Sequence, residues 1–202
     1  MKIISTLLIF ACFTAVGFAP KADGAALSAA NQSIYLPLVI KAGETGSSAI
    51  VNGDFEAGRS GWIEYEDSAF FDFVLIVQKK DLPSGITPYD GDWVAWLGGD
   101  SELITYIEQE ISIPAPDAEL VYWHWVDSID GCDASYGGVY LNDVLVDQHP
   151  LCVSSATGGW VMRTVDLSAY AGQVAMLRFW SQTVIENYSN WFIDAVSVHS
   201  LP

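Results

Sequence analysis

The clearest strand pattern in the chain is Leu120-Val121-Tyr122-Trp123-His124-Trp125-Val126, a run rich in aromatic and β-branched residues. Such residues are enriched in β-strands, where successive side chains point to opposite faces. Val121, Trp123 and Trp125 therefore share one face, and Tyr122 and His124 share the other. We expect the first face to lie in the core and the second to lie on the outer side of a sheet.

The same alternation recurs along the rest of the chain. In Val174–Ser181 the odd-numbered side chains, including Leu177 and Phe179, oppose the even-numbered ones. Turn residues separate short apolar runs, and no long amphipathic helix pattern appears. We therefore predict an all-β protein, an antiparallel β-sandwich of the jelly-roll type. The expected strands are Ile50–Glu56, Trp62–Tyr65, Phe70–Val77, Trp93–Leu97, Glu102–Ile113, Leu120–Asp127, Gly138–Asn142, Val144–Gln148, Trp160–Asp166, Val174–Ser181 and Trp191–Val198.

Composition excludes several classes of protein. The chain has 202 residues, of which 51% are hydrophobic and 13% aromatic, and it carries 8 Lys+Arg against 25 Asp+Glu, a formal net charge of -17. Disordered acidic tails lack aromatic residues, and nucleic-acid binding needs clustered Lys and Arg. The length suits one domain with its own core, and no nucleic-acid partner is expected.

The N-terminus has the pattern of an export signal. Lys2 precedes an apolar run from Ile3 to Phe18, and small residues follow it, which is typical of a signal peptide over residues 1–30. A membrane-anchored N-terminus is the alternative. Residues 31–49 then comprise an apolar extended segment and a flexible linker, and the domain is expected over residues 50–200. The mature chain is expected to be secreted or held at the cell surface, with no insertion into the membrane.

Two cysteines, Cys132 and Cys152, remain after removal of the signal. An even pair in an exported chain predicts a disulfide. Free thiols and a metal pair are the alternatives, but two cysteines at this separation make no zinc signature.

Three blocks carry a family resemblance. They are Val51-Asn52-Gly53-Asp54-Phe55-Glu56, Gly91-Asp92-Trp93-Val94-Ala95-Trp96 and Trp191-Phe192-Ile193-Asp194-Ala195-Val196. Their order resembles that in extracellular jelly-roll modules of the MAM type and in calcium-stabilised carbohydrate-binding modules. The resemblance spans residues 50–198 and implies a binding or adhesion module rather than a catalyst. MAM modules usually carry a cysteine in the first block, which this chain lacks.

The resemblance also implies a calcium ion between the first and last strands. Carried over by motif position, its ligands would be Asp54, Glu56 and Asp194, with Asp92 as a possible fourth. Calcium prefers carboxylate and carbonyl oxygens, which agrees with this set. The alternative is that these are ordinary solvated acids, and Ala195 stands where relatives often carry a second acid.

A ligand face is expected on the outer side of the strands. If Val121, Trp123, Val139, Leu177 and Phe179 are core, the opposite side chains could recognise a glycan or another extracellular polymer, because flat rings stack on the apolar face of a pyranose. The alternative is that these rings serve packing. The candidate ligand residues are Tyr122, His124, Tyr140, Arg178 and Trp180.

Catalysis is not expected. The chain has three His residues and contains neither a His-Glu-x-x-His nor a Gly-x-Ser-x-Gly motif. A second hypothesis is a cell-surface structural protein that forms homo-oligomers, in which residues 33–41 add a strand to a neighbouring copy.

Overall fold

The computed structural model describes residues 49–68, 72–132, 135–184 and 187–201. The expected signal peptide (residues 1–30), the apolar segment at residues 33–41 and most of the linker lie outside these ranges. The start of the strand expected at Phe70–Val77 also lies outside them. Those expectations stay predictions.

Ten strands form two five-stranded sheets in which every pairing is antiparallel. Sheet A has the order β1-β4-β9-β6-β7, and sheet B has the order β2-β3-β10-β5-β8. The all-β antiparallel sandwich predicted from the sequence is confirmed. The strands are β1 (Ile63–Glu66), β2 (Ile76–Gln78), β3 (Trp93–Gly98), β4 (Ile104–Ser112), β5 (Ala118–Ser128), β6 (Tyr136–Leu141), β7 (Val144–Pro150), β8 (Val161–Asp166), β9 (Val174–Gln182) and β10 (Ser189–Ser200).

The core lies between the two sheets. Val139, Leu177 and Phe179 are fully buried there, as predicted, and they pack in one cluster with Leu120 and Trp191 from the opposite sheet. Burial of such side chains contributes about 1.5–3 kcal/mol each. The side chains that alternate with them in β6 and β9 point away from the core.

The two faces of β5 are the reverse of the prediction. Tyr122 is 0% exposed and His124 is 4% exposed, so both face the core. Val121 and Trp123 are half-buried and lie on the outer side of sheet B. The alternation was recognised correctly, but the more apolar face was assigned to the core. That assignment failed because the outer side of sheet B is itself covered.

The cover is the connection between β2 and β3, residues 79–92. Its Ile86 side chain is buried against Val94 and Phe192 in a second, smaller apolar cluster. The Tyr89 ring from the same connection stacks on Trp123, with ring centroids 4.1 Å apart. Both faces of sheet B are therefore apolar.

The segment expected as a strand at Ile50–Glu56 forms turns instead. Asn52 and Phe55 have positive φ values of 54° and 59°, which lie outside the range of a regular strand. Gly53 packs directly on β10, where a Cβ would lie 1.9 Å from the Val196 carbonyl oxygen. Opposite it, β10 has a bulge between Asp194 and Ser197. The first and last blocks of the resemblance are therefore neighbours, although the first is not a strand.

Cys132 and Cys152 form the predicted disulfide, which links residues 20 positions apart. It joins the β5–β6 connection to the residues that follow β7. In the described ranges, no helix has the length and apolar character needed to cross a membrane.

Candidate functional site

An aromatic row crosses the outer side of sheet A. The strand register places Tyr65 opposite Tyr106, Tyr106 opposite Trp180, and Trp180 opposite Gly138. Directly opposed residues on one face of a sheet are the pairs that interact most strongly. We call this surface the aromatic face and define it by its outward side chains. They are Tyr65, Tyr106, Glu108, Tyr136, Tyr140, Arg178 and Trp180.

The rings of the aromatic face contact one another. Tyr65 and Tyr106 stack with centroids 4.7 Å apart and an interplanar angle of 13°. Trp180 lies 5.1 Å from Tyr136 and meets Tyr140 edge-on at 6.2 Å. These separations are typical of favourable aromatic pairs, so neighbouring rings hold one another in place.

Arg178 is the cation of the aromatic face. Its Cζ atom lies 4.8 Å from the centroid of the Tyr106 ring, within range of a cation–π interaction. Its Nε donates to Glu108 Oε2 at 2.7 Å, and its Nη1 donates to Asp143 Oδ1 at 2.9 Å. The Glu108 side chain is only 14% exposed. The charge on Arg178 is therefore matched by two carboxylates.

A glycine gives one ring its position. A Cβ added at Gly138 would lie 2.7 Å from the ring of Tyr140 and 3.0 Å from Leu145. The Tyr140 ring therefore lies over the bare backbone of its own strand. Burial raises the pKa of the phenols of Tyr140 and Tyr106, so both remain neutral hydroxyl groups that can donate and accept hydrogen bonds.

Three of the predicted ligand residues, Tyr140, Arg178 and Trp180, lie on the aromatic face. Tyr122 and His124 do not, because they point into the core. The sequence prediction missed Tyr65 and Tyr106, although the alternation within β4 already groups Tyr106 with Glu108 and Glu110 on one side.

The polar atoms of Tyr122 and His124 are satisfied inside the sandwich. Tyr122 Oη donates to Asp147 Oδ2 at 2.8 Å and contacts His149 Nε2 at 2.7 Å. His124 Nδ1 accepts from Trp191 Nε1 at 3.1 Å. Burial lowers the pKa of His124 to about 3, assisted by His149 nearby. Among the described residues, no buried side-chain nitrogen or oxygen lacks a hydrogen-bond partner, and these contacts show how polar side chains are accommodated in the core.

A pair of arginine hydrogen bonds completes this buried network. Arg163 Nη2 donates to both carboxylate oxygens of Asp147, at 3.0 and 3.2 Å. Burial raises the pKa of Asp147, but hydrogen bonds from His149, Arg163 and Tyr122 outweigh it and hold the pKa well below its usual range. The network joins β7 of sheet A to β5 and β8 of sheet B.

Among the predicted calcium ligands, Asp194 is the most constrained. It is 1% exposed, and its Oδ2 accepts from the backbone N–H groups of Tyr89 and Asp90 at 2.9 and 3.4 Å. Its Oδ1 accepts from Ala195 N at 2.6 Å. Burial, with a smaller contribution from repulsion by Glu56, raises the pKa of Asp194 to about 7.

Glu56 contacts the end of the same connection. Its Oε1 accepts from the N–H groups of Asp92 and Trp93, each at 2.9 Å, and Gly91 leaves the space that its carboxyl group occupies. Asp54 and Asp92 are exposed, and Asp54 Oδ1 accepts from Glu56 N at 3.4 Å. Within the described residues, no three His, Cys, Asp or Glu side chains are grouped to hold a metal ion.

The aromatic residues of sheet B contrast with the aromatic face. Trp123 is covered by Tyr89, and Trp125 packs edge-on against Trp160, 6.1 Å away. The indole N–H of Trp160 donates to the Thr87 carbonyl oxygen at 2.9 Å. These rings hold the 79–92 connection against the sheet, so packing accounts for them.

Comparisons with known proteins bear on the fold. No known protein family matches the chain, and no curated protein sequence matches it. Among solved structures, the carbohydrate-binding module TmCBM61 in complex with β-1,4-galactotriose is similar with a TM-score of 0.53 and 15% identity, over 77% of this chain and 100% of that one.

Two further structures have the same architecture. The K2 cleaved adhesin domain of Lys-gingipain gives a TM-score of 0.52 at 14% identity, over 73% of this chain and 97% of that one. The Stig cyclase Fisc from Fischerella sp. TAU, in complex with an indole compound, gives 0.50 at 16% identity, over 79% of this chain and 99% of that one. At such identities the likeness establishes the jelly-roll fold, which is shared by structures named for binding, adhesion and cyclisation.

Proposed function

We propose that this protein is a secreted, non-catalytic carbohydrate-binding module whose ligand lies on the aromatic face of sheet A. The observation that carries the proposal is the set of rings in Tyr65, Tyr106, Trp180, Tyr136 and Tyr140 beside the polar groups of Arg178 and Glu108. Aromatic rings stack on the C–H face of a pyranose, while charged groups and hydroxyls bind its hydroxyl groups. Similarity in fold to TmCBM61, which was solved with a galactotriose, supports this class of ligand.

Secretion is supported by two independent features. The disulfide between Cys132 and Cys152 is of a kind that forms and persists in oxidising compartments, and the N-terminal sequence has the pattern of a signal peptide. An exported module of this type would meet glycans or other extracellular polymers directly.

Trp180 is the residue on which to test the proposal, since it contacts Tyr136 and Tyr140 and stands opposite Tyr106. The measurement is a glycan array, followed by calorimetry with β-1,4-galactan oligosaccharides. We expect the protein to bind a glycan and Trp180→Ala to lose affinity by about tenfold, which corresponds to about 1.4 kcal/mol and lies within the range for one favourable ring contact. The matched control is Met162→Ala. Met162 is 53% exposed on β8 of sheet B, and we expect its loss to leave affinity unchanged.

Absence of glycan binding by the folded protein would contradict the proposal. Equal loss of affinity in Trp180→Ala and Met162→Ala would contradict the placement of the ligand on the aromatic face.

We also propose that a calcium ion stabilises the domain, held by Asp194 and Glu56. Their carboxylates are hard oxygen donors of the kind calcium prefers, and they accept from backbone N–H groups that are close in sequence, at residues 89–90 and 92–93. A bound cation would neutralise the buried Asp194 carboxylate and fix this connection against β10. Asp54 and Asp92, predicted as a further ligand and a possible fourth, are exposed, and their part in the site stays a prediction.

The calcium proposal predicts a cation-specific gain in stability. In a thermal melt, calcium added after EDTA treatment is expected to raise Tm by about 4 °C or more, whereas equal magnesium is not. Asp194→Asn should abolish this gain in Tm. The control, Asp117→Asn, should retain it, because Asp117 is an exposed acid that lies far from Asp194 in the sequence. The same Tm with calcium and with EDTA would overturn the proposal.

A further inference from the structure

Arg178, the cation of the aromatic face, is bound by carboxylates of the protein itself. Arg178 Nε donates to Glu108 and Nη1 donates to Asp143. A guanidinium group binds a ligand carboxylate in bidentate fashion through two neighbouring nitrogens, either Nε with Nη2 or Nη1 with Nη2. Each of these pairs already has one nitrogen bound to a carboxylate of the protein, so an acidic ligand at either pair would lie beside a like charge.

No other cation on this sheet can take its place. In the five strands of sheet A, all of which are described, Arg178 is the single Lys or Arg. Acidic side chains surround it: Glu108 and Asp143 are its partners, and exposed Glu110 follows on the same side of β4. The triad of Arg178 and its two carboxylates has a net charge of about -1.

The remaining groups suit an uncharged ligand. The phenols of Tyr106 and Tyr140 are neutral hydroxyls, and the carboxylates of Glu108 and Asp143 are acceptors. Sugar hydroxyls both donate and accept, so this set can pair with them, whereas a sugar carboxylate or sulfate would meet acceptors of its own sign. The formal net charge of -17 repels polyanionic glycans over a longer range.

We infer that the aromatic face selects neutral glycans and excludes uronic-acid and sulfated ones, and that the pairing of Arg178 with Glu108 and Asp143 is the specificity-determining feature. This inference rests on the proposed carbohydrate-binding function. In it, Arg178 positions the Tyr106 ring through its cation–π contact and is not a receptor for an anion.

The test compares ligands that differ only in charge. The probes are β-1,4-galactan and a β-glucan, each before and after oxidation of its C6 primary alcohols to carboxylates, measured by affinity electrophoresis and calorimetry at low salt. The wild-type protein is expected to bind a neutral form at least about tenfold more tightly than its oxidised form.

A double variant tests the role of the arginine. Glu108→Gln with Asp143→Asn keeps the shape of both side chains and removes their charge, and Asn suits the positive φ of 64° at position 143. Released from its partners, Arg178 becomes a free cation, so the ratio of neutral to oxidised affinity should fall by about tenfold. The matched control, Glu110→Gln with Asp117→Asn, changes net charge equally, leaves both Arg178 pairs intact, and should keep most of the wild-type ratio.

The outcomes separate this inference from the proposed function. Wild-type binding to the oxidised form as tightly as to the neutral form would overturn the inference and leave the proposed function standing. An equal fall in the ratio of neutral to oxidised affinity in both double variants would show that the pairing of Arg178 with Glu108 and Asp143 does not determine specificity. Binding to none of the four probes by folded protein would overturn both proposals.

Discussion

At the scale of single residues, the glycines that touch other backbone are the least replaceable. Gly53 is the clearest case, because a Cβ there would lie 1.9 Å from the carbonyl oxygen of Val196. Val196 N also donates to Gly53 O at 2.8 Å. The contact joins the first turn of the domain to the bulge of β10, so any added atom must push two backbone segments apart.

Gly53→Ala is therefore expected to destabilise the protein strongly. We expect a loss of about 3 kcal/mol or more in the free energy of unfolding by urea, at the upper end of the range for overpacked sites. Gly158→Ala is the matched control. Its Cβ would meet nothing within 4 Å, and its φ of 66° adds only left-handed strain, about 1–2 kcal/mol. Equal losses in the two variants would show that the close approach to Val196 does not matter.

At the scale of elements, the buried polar network connects strands of both sheets. His124 lies on β5 with its ring centroid 4.3 Å from that of His149 on β7. The charged groups that face this pair are Asp147 on β7 and Arg163 on β8, which form an ion pair at 3.0 Å. The charges of that pair cancel, so a proton added to His124 would be poorly compensated.

The network predicts a pH dependence of stability. The pKa of His124 falls from its ordinary 6.5 to about 3 on folding. Between these values the unfolded chain binds a proton that the native protein does not, so this residue lowers stability as pH falls, by up to about 1.4 kcal/mol per pH unit. Above pH 6.5 the effect is absent.

The measurement is the difference in unfolding free energy between wild type and His124→Gln from pH 7 to pH 4. Glutamine keeps an acceptor for Trp191 and does not titrate, so the difference should shift in favour of the variant as pH falls. The raised pKa of Asp194 makes that residue add stability as pH falls, which opposes the effect of His124. Both proteins contain Asp194, so its contribution cancels when one curve is subtracted from the other. Exposed Met162 provides the control, since Met162→Ala removes no titratable group and its curve should run parallel to that of wild type. A wild-type curve parallel to that of His124→Gln would refute the assignment.

Element-scale patterns also show how far the sequence could predict the structure. Strand alternation identified the sandwich and placed Val139, Leu177 and Phe179 in the core. It misassigned β5 because both sides of that strand are covered, one by the opposite sheet and one by residues 79–92. Apolar character cannot separate two buried faces, and the partners that make Tyr122 and His124 acceptable in the core, Asp147 and Trp191, are distant in sequence.

The candidate site was predictable to a similar extent. Tyr140, Arg178 and Trp180 were placed on one outer surface from periodicity alone. Tyr65 and Tyr106 were missed because cross-strand register, which pairs β1 with β4 and β4 with β9, cannot be deduced from one sequence. The expectation of a strand at residues 50–56 was wrong because Asn52 and Phe55 have positive φ, and the Asn52 side chain bonds the backbone of the turn that follows, at residues 57, 58 and 60.

At the scale of the whole molecule, the excess of negative charge affects the stability of the folded domain and its response to salt. With 25 Asp+Glu against 8 Lys+Arg, like charges repel across the surface of the folded domain, and this repulsion is relieved when the chain expands. Salt screens exposed charges beyond about 10 Å at 0.1 M. Partly buried pairs such as Arg178 with Glu108 are screened much less.

Monovalent salt should therefore stabilise the folded protein without weakening binding of a neutral glycan. Raising sodium chloride from 0.01 to 0.5 M in the presence of EDTA is expected to raise Tm by a few degrees, since self-repulsion falls with screening. Asp81→Lys with Asp117→Lys, at two exposed acids, should raise Tm at low salt and flatten this dependence. A glycan affinity that fell steeply over the same range would mean that a charged ligand, rather than stacking and neutral hydrogen bonds, dominates recognition on the aromatic face.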